Sequence, residues 1–385
     1  MKKFISILCS LGLISCSAVS AGFEINNSDK NIAVSCKSAY LMDSNSGECI
    51  YKQNECERLP IASMCKVMTL TLVMDAIVSG KLGFNDMVTA SDNAAGMGGS
   101  QVFLASGSQY SVDQLIKSVV VCSANDSCVA LAEAISGSED TFVASMNKKA
   151  SELGCNDTLF ANCTGLPKPT QYSCAKDVAV MFNNLLKSED YFKYSKIWLE
   201  DFVHPDDRVT SMTNTNKLLK KYQLCDGGKT GFTNEAGFCF TATAKKDNLR
   251  LISAVLGADS SDHRFESTIN MFNYGFANYK NKIILDKDIP LNEEFVVTGG
   301  KKQNFAVYPE KNCYVFTAND KDPEISYNVI PSAVKAPVVK GQNVGIIEIY
   351  KDGILYETLN AVSAEDVKKA GFGDNFQNIS GKWAI

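Results

Sequence analysis

Strand-type runs bracket a helix-rich middle, and this bracketing constrains the fold more than any other feature of the chain. Near the start, Ser38-Ala39-Tyr40-Leu41-Met42 and Glu48-Cys49-Ile50-Tyr51-Lys52 flank the turn cluster Asp43-Ser44-Asn45-Ser46-Gly47, the spacing of a hairpin. Far downstream, residues 237–244 and 249–256 form a second hairpin about Lys246-Asp247-Asn248, rich in the residue types strands prefer. A nearly all-apolar helix opens within PIASMCKVMTLTLVMDAI, residues 60–77, and runs to about Ser79 before Gly80 stops it. Apolar helices at 112–121 and 127–136 flank the polar break Ser123-Ala124-Asn125-Asp126, and others are expected at 139–153, 175–187 and 263–279. Strands at both ends with helices between predict one sheet, closed by the two termini of a domain and packed against helices. This is an α/β chain of the α+β kind.

The chain has 385 residues, enough for two or three domains at roughly 100–200 residues each. With 45% hydrophobic and 21% charged residues it falls in the globular range. A net charge of -5 without a lysine/arginine stripe argues against a nucleic-acid partner. Residues 1–21 read as a secretory signal: Lys2-Lys3, an apolar run from Phe4, then Ala18-Val19-Ser20-Ala21 before Gly22. A retained anchor and a lipoprotein signal with Cys16 as the lipidated residue (Leu13-Ile14-Ser15-Cys16) are the alternatives. The organisation expected is therefore a catalytic domain over 22–280, a small all-β domain over 281–362 and a tail over 363–385. That tail has too little apolar face for a convincing membrane helix.

Of 14 cysteines, 12 follow Ala21. Disulfides are the default for an exported protein, with Cys155/Cys163 and Cys122/Cys128 as near-neighbour candidates. Cys65 and Cys239, however, lie in apolar contexts that suit free buried thiols, and the expectation is that most cysteines are unpaired, tolerated in an oxygen-poor setting. No spacing looks like a zinc site, and His204 and His263 are the two imidazoles, so neither metal nor cofactor is expected.

The apolar helix raises a chemical question, because it carries one lysine three residues after a serine. At that spacing Ser63 and Lys66 share a helical face. Burial disfavours the charged lysine and makes it a base, and a helix start at Ser63 offers free backbone N–H groups to an oxyanion. S-x-x-K alone is cheap: it recurs at Ser145/Lys148, Ser173/Lys176 and Ser332/Lys335. S-x-N is equally cheap, at Ser91/Asn93, Ser123/Asn125, Ser145/Asn147 and Ser326/Asn328. Lys229-Thr230-Gly231 is the single K-T-G; it follows Gly227-Gly228 and is expected to precede a strand, with Gly231 letting a ligand lie close to the backbone.

Together Ser63/Lys66, Ser123/Asn125 and Lys229/Thr230/Gly231 resemble, in type and order, the motifs of the penicillin-interacting serine enzymes. The segments PIASMCKVMT, ASDNAAGMGGSQVFL, VVVCSANDSCVALAEAISGSEDTFVASMN, NCTGLPKPTQYSCAKDVAVM and DGGKTGFTNEAGFCFTATA narrow the likeness to low-molecular-mass penicillin-binding proteins, the serine-type D-alanyl-D-alanine carboxypeptidases. The resemblance implies a penicillin-binding-protein/β-lactamase-like transpeptidase domain with an antiparallel sheet and a helical cluster. It implies Ser63 as nucleophile, Lys66 as base, Ser123 as proton relay and Asn125 on the substrate amide. Lys229 then supplies positive field, Thr230 holds the substrate carboxylate, and the backbone N–H groups of Ser63 and Phe232 form the oxyanion hole. The implied substrate is the peptidoglycan stem pentapeptide, with β-lactams as inhibitors, in the bacterial cell envelope and with peripheral membrane association.

Cys65 stands where the family more often has threonine, and Ala124 replaces glycine or tyrosine. The loop 162–167 holds no glutamate of the kind class A β-lactamases use to deacylate. A D,D-endopeptidase and a penicillin-sensing or peptidoglycan-binding protein without turnover are the alternative readings. Arg264 is read either near the substrate carboxylate or as a surface arginine, and residues 96–100 either as a flap or as a simple turn.

Overall fold

The computed structural model describes residues 32–371 except positions 294 and 303. The signal at 1–21, Cys16 and the tail from 372 onward lie outside the described residues.

Strands β1 (Ser38–Asp43) and β2 (Cys49–Gln53) form the expected hairpin. A 3-10 turn, Ala62–Cys65, precedes helix α1 (Lys66–Val78), which is buried on nearly every side as a core helix must be. Ser79 caps it, and Gly80 takes a φ of +72°. A short pair, β3 (Met87–Thr89) and β4 (Gln109–Ser111), encloses the single-turn α2 (Asp92–Ala95). Helix α3 (Val112–Val121) starts at a capping box built by Ser111 and Gln114. Helix α4 (Asn125–Ser136) begins slightly earlier than the sequence indicates, so Asn125 and Asp126 belong to its first turn and the break is Cys122-Ser123-Ala124. Helices α5 (Glu139–Glu152), α6 (Ala175–Leu185) and α7 (Tyr191–Ser195) follow, then the ribbon β5 (Leu199–Val203) with β6 (Val209–Thr213), and the short α8 (Leu218–Lys221).

The main sheet is completed by β7 (Cys225–Thr233), β8 (Gly237–Lys246) and β9 (Leu249–Ala258), and α9 (Ser261–Asn278) closes the unit. Its strand order is β2-β1-β9-β8-β7, antiparallel throughout, so the two ends of the domain meet where β1 pairs with β9. Both central strands are covered on both faces, and their alternation divides the core in two. Tyr40, Met42, Ile252, Ala254 and Leu256 face the cluster built on α1 and α3–α6. Ala39, Leu41, Leu251 and Val255 face Phe265, Met271 and Phe272 of α9.

Lys229-Thr230-Gly231 precedes strand β8 as expected, and it is itself part of a further strand that the sequence reading did not identify, β7, at the edge of the sheet. Gly227, Gly228 and Gly231 depress strand propensity and conceal β7 from pattern reading. Gly231 also makes room for the chain itself: a Cβ there would lie 2.7 Å from the Ile61 carbonyl oxygen.

Beyond α9 the chain is strand and turn. Strand β10 (Tyr279–Leu285) pairs with Cys313–Ala318, and the strands that follow enclose a separate core that includes Phe295, Val307, Ile347 and Leu359. Ser326 and Asn328 sit in strand Ile325–Pro331, which belongs to a sheet separate from the main one. All twelve described cysteines are free thiols, including Cys155, Cys163, Cys122 and Cys128. Among the described residues no helix is long and apolar enough to cross a membrane.

Candidate active site

The turn that carries Ser63 is held from two sides. Ala62 takes a φ of +47°, costly for a residue with a Cβ, and so must be fixed by its surroundings. On one side Gly165, at φ +85°, approaches so closely that a Cβ would stand 2.0 Å from the Ala62 oxygen. On the other is Gly231 of β7, whose Cβ position lies 3.2 Å from the Ser63 nitrogen. The backbone of β7 thus runs beside Ser63, one residue before Phe232.

Lys66 is fully buried in the first turn of α1. Its Nζ lies 3.0 Å from Ser63 Oγ, 2.6 Å from Asn125 Oδ1 and 2.5 Å from the Thr164 carbonyl oxygen. The Asn125 amide orientation is fixed because its Nδ2 donates to the Gly98 oxygen at 2.7 Å. Two of the three neighbours of Nζ can therefore only accept. A neutral amine has two N–H groups and one lone pair; the acceptors take both protons, and the lone pair is left facing the Ser63 hydroxyl. Burial pushes Lys66 below the ordinary lysine value, toward that neutral form. Two of the other S-x-x-K serines are occupied elsewhere: Ser145 donates to the Thr141 oxygen, and Ser173 shares a hydrogen bond with Thr158.

Ser123 occupies the break between α3 and α4 with a φ of +66°, and Lys229 Nζ donates to its Oγ at 2.7 Å. Burial, and then the nearby Lys66 charge, hold Lys229 well below the ordinary lysine value. Residues 98–104 are tied to α4 rather than hanging free. Asn125 N donates to the Ser100 oxygen, and the buried Asp126 carboxylate accepts from the backbone of Val102 and Leu104. Opposite them, Asn162 Oδ1 accepts from Thr164 N and Gly165 N, while Cys65 Sγ and Thr69 Oγ1 donate to the Asn162 and Cys163 oxygens. These bonds clamp the Thr164 carbonyl onto Lys66.

On β7, Thr230 is buried and donates to Thr215 Oγ1 at 2.8 Å. Phe232 is half exposed and packs on Phe238 with ring centroids 4.4 Å apart. Arg264 is not the surface arginine of one reading. It is 8% exposed, donates to the Gly231 and Cys239 oxygens, and lies between the rings of Phe238 and Phe265. Burial lowers it to about 10, so it remains a cation at neutral pH.

Ser63, Lys66 and Asn125 thus form one hydrogen-bonded group and Ser123 with Lys229 a second close to it, with Thr230, Gly231 and Phe232 along the adjoining strand. Sequence reasoning missed Thr164 and Thr215. Thr164 acts through its backbone oxygen, which no side-chain motif records; the glycine after it in Cys163-Thr164-Gly165 was the only signal. A nucleophile beside a buried amine, a second buried amine on a second hydroxyl, and free strand backbone alongside form a set suited to acyl transfer without histidine or metal ligands.

Comparison with known proteins agrees with this chemistry. Residues 25–260 match the family described as D-alanyl-D-alanine carboxypeptidase, and residues 279–369 match the C-terminal domain of penicillin-binding protein 5. The chain is 36% identical to D-alanyl-D-alanine carboxypeptidase DacF of Bacillus subtilis, covering 100% of this chain and 99% of that one. It is 33% identical to DacC of Escherichia coli, over 88% and 86% of the two chains. Penicillin-binding protein 5 of Haemophilus influenzae superposes with a TM-score of 0.68 at 31% identity, over 88% and 98% of the chains.

Proposed function

The chain belongs to the D-alanyl-D-alanine carboxypeptidase family and is a serine peptidase of that activity; from this premise we propose how its residues divide the reaction. Lys66, as the neutral amine, takes the Ser63 proton as Oγ attacks the carbonyl between two D-alanines of a peptidoglycan stem pentapeptide. The backbone N–H groups of Ser63 and Phe232 hold the oxyanion, a role supported by the approach of β7 to the Ser63 nitrogen. As the C–N bond breaks, the departing amine takes a proton from the Ser123 hydroxyl, replenished through Lys229, its donor at 2.7 Å. Water then hydrolyses the acyl-enzyme by the reverse relay. Thr230 binds the terminal carboxylate beside the Lys229 amine, and Asn125 orients the substrate amide as well as Lys66. A β-lactam acylates the same Ser63.

The observation that carries this reading is the trio of contacts at Lys66 Nζ, which leaves only Ser63 Oγ to meet a lone pair. We assign catalysis to residues 22–280 and a supporting role to 281–362. Export to the cell envelope, supported by the signal-like residues 1–21, brings the enzyme to its substrate, with attachment at the membrane surface through residues outside these domains. The test is release of D-alanine from a synthetic pentapeptide ending in D-Ala-D-Ala, with Ser63→Ala in parallel. Serine-dependent release is expected. Release confined to cross-linked peptides makes the chain an endopeptidase, and acylation without any release makes it a sensor.

A further inference from the structure

Away from this site, Cys56, Asp157 and Cys174 bring two sulfurs and a carboxylate oxygen within 4.8 Å of one another. Cys56 lies on the segment that leads from β2 to the Ser63 turn. Asp157 and Cys174 lie on either side of the loop that carries Thr164 and Gly165. We propose that these three side chains bind a thiophilic divalent cation, zinc by its ligand preferences, and that the ion staples together the two segments that hold Ser63 and Lys66.

The donor set fits. Zinc takes thiolate and carboxylate ligands at about 2.3 and 2.1 Å, which places ligand atoms just under about 4 Å apart in a tetrahedron. Side-chain rotation about the observed positions covers the difference. Cys56 is exposed and Cys174 buried, so the fourth position opens toward solvent, where water completes the shell and the ion can enter.

The surroundings are built as an outer shell. Arg58 Nε donates to Asp157 Oδ1 at 3.0 Å, fixing the carboxylate and leaving its other oxygen free. Asp177 Oδ2 accepts from Asp157 N at 2.9 Å and from Thr158 Oγ1 at 2.8 Å, which fixes the backbone below the ligand. Reciprocal backbone bonds between Leu59 and Ser173, and one from Lys176 N to the Glu55 oxygen, hold the two segments in register before any ion binds.

Charge points the same way. Glu55, Asp157 and Asp177 are matched by Lys52, Lys176 and Arg58, and the two thiols, which burial keeps protonated in the metal-free chain, become thiolates on binding whose charge the dication offsets. Binding displaces the thiol protons to solvent, so affinity rises with pH.

The test is titration of the reduced, metal-free full chain with Cd2+, read by the thiolate-to-cadmium charge-transfer absorbance in the ultraviolet. We expect one equivalent per chain and competition by Zn2+. Cys56→Ser, an exposed substitution, should abolish the band while Ser63 is still acylated by a β-lactam, which shows the variant folded. Asp157→Asn should weaken binding by about tenfold or more, and Cys36→Ser should leave it unchanged. Bound Zn2+ should also shield Cys56 from alkylation. No band, a band that survives Cys56→Ser, or a chain that forms a Cys56–Cys174 disulfide in air and binds no metal when reduced would each overturn the proposal.

Discussion

At the scale of single residues, the site depends on where two protons of one amine go. Asn125 Oδ1 and the Thr164 oxygen absorb them, and burial removes the third, so Lys66 faces Ser63 as a base. Lys66→Ala should slow β-lactam acylation by about two to four orders of magnitude, the range for loss of a general base. Unchanged circular dichroism would show that the fold survives. By contrast Cys65→Thr should keep most activity, because the threonine hydroxyl can replace Cys65 Sγ as donor to the Asn162 oxygen; an acylation rate as low as that of Lys66→Ala would contradict this. The side-chain members of the constellation were readable in the sequence because the chemistry demands their types at fixed spacing. Thr164 was not, since a carbonyl oxygen is common to every residue.

At the scale of elements, an edge strand touches a turn. β7 reaches Ser63 only because Gly231 has no side chain, and Gly231→Ala forces a Cβ against the Ile61 oxygen. An overpacked contact of this kind costs about 1–3 kcal/mol. Acylation should fall further than the stability loss explains, because β7 shifts away from the oxyanion position; a variant with wild-type acylation kinetics would show that the spacing is not critical. The same glycines account for β7 being the one strand of the main sheet that sequence reasoning did not identify. Flanking strands β1, β2, β8 and β9 were legible because apolar and β-branched residues fill both faces of a covered sheet. Arg264 was ambiguous because its acceptors, the Gly231 and Cys239 oxygens, belong to strands far away in sequence.

At the scale of the whole molecule, the free thiols set a limit on stability. An unfolded thiol ionises near pH 8.5, whereas burial holds Cys225 and Cys239 up at about 11 and Cys36 and Cys313 up at about 12. Between those values the unfolded chain has lost protons that the folded chain keeps. Stability present below about pH 8.5 therefore drains as pH rises, by about 1.4 kcal/mol per pH unit for each such thiol. Lys66 and Lys229 act in the opposite sense: held low by burial, they bind fewer protons folded than unfolded and favour folding as pH climbs toward the ordinary lysine value. Two amines do not offset the larger set of thiols. The urea midpoint of the reduced protein should fall steeply above about pH 9, less so in Cys239→Ala measured against its own neutral-pH midpoint. A midpoint that stays level there would contradict the buried-thiol account.

The central claim can be read directly, as the second-order rate constant for acylation of Ser63 by a β-lactam against pH. With Lys66 held low by burial, the rate should level off below the ordinary lysine value of about 10.4. A rate that keeps climbing tenfold per unit up to about pH 10.4, as an ordinary lysine demands, would contradict the assignment of Lys66 as a neutral base.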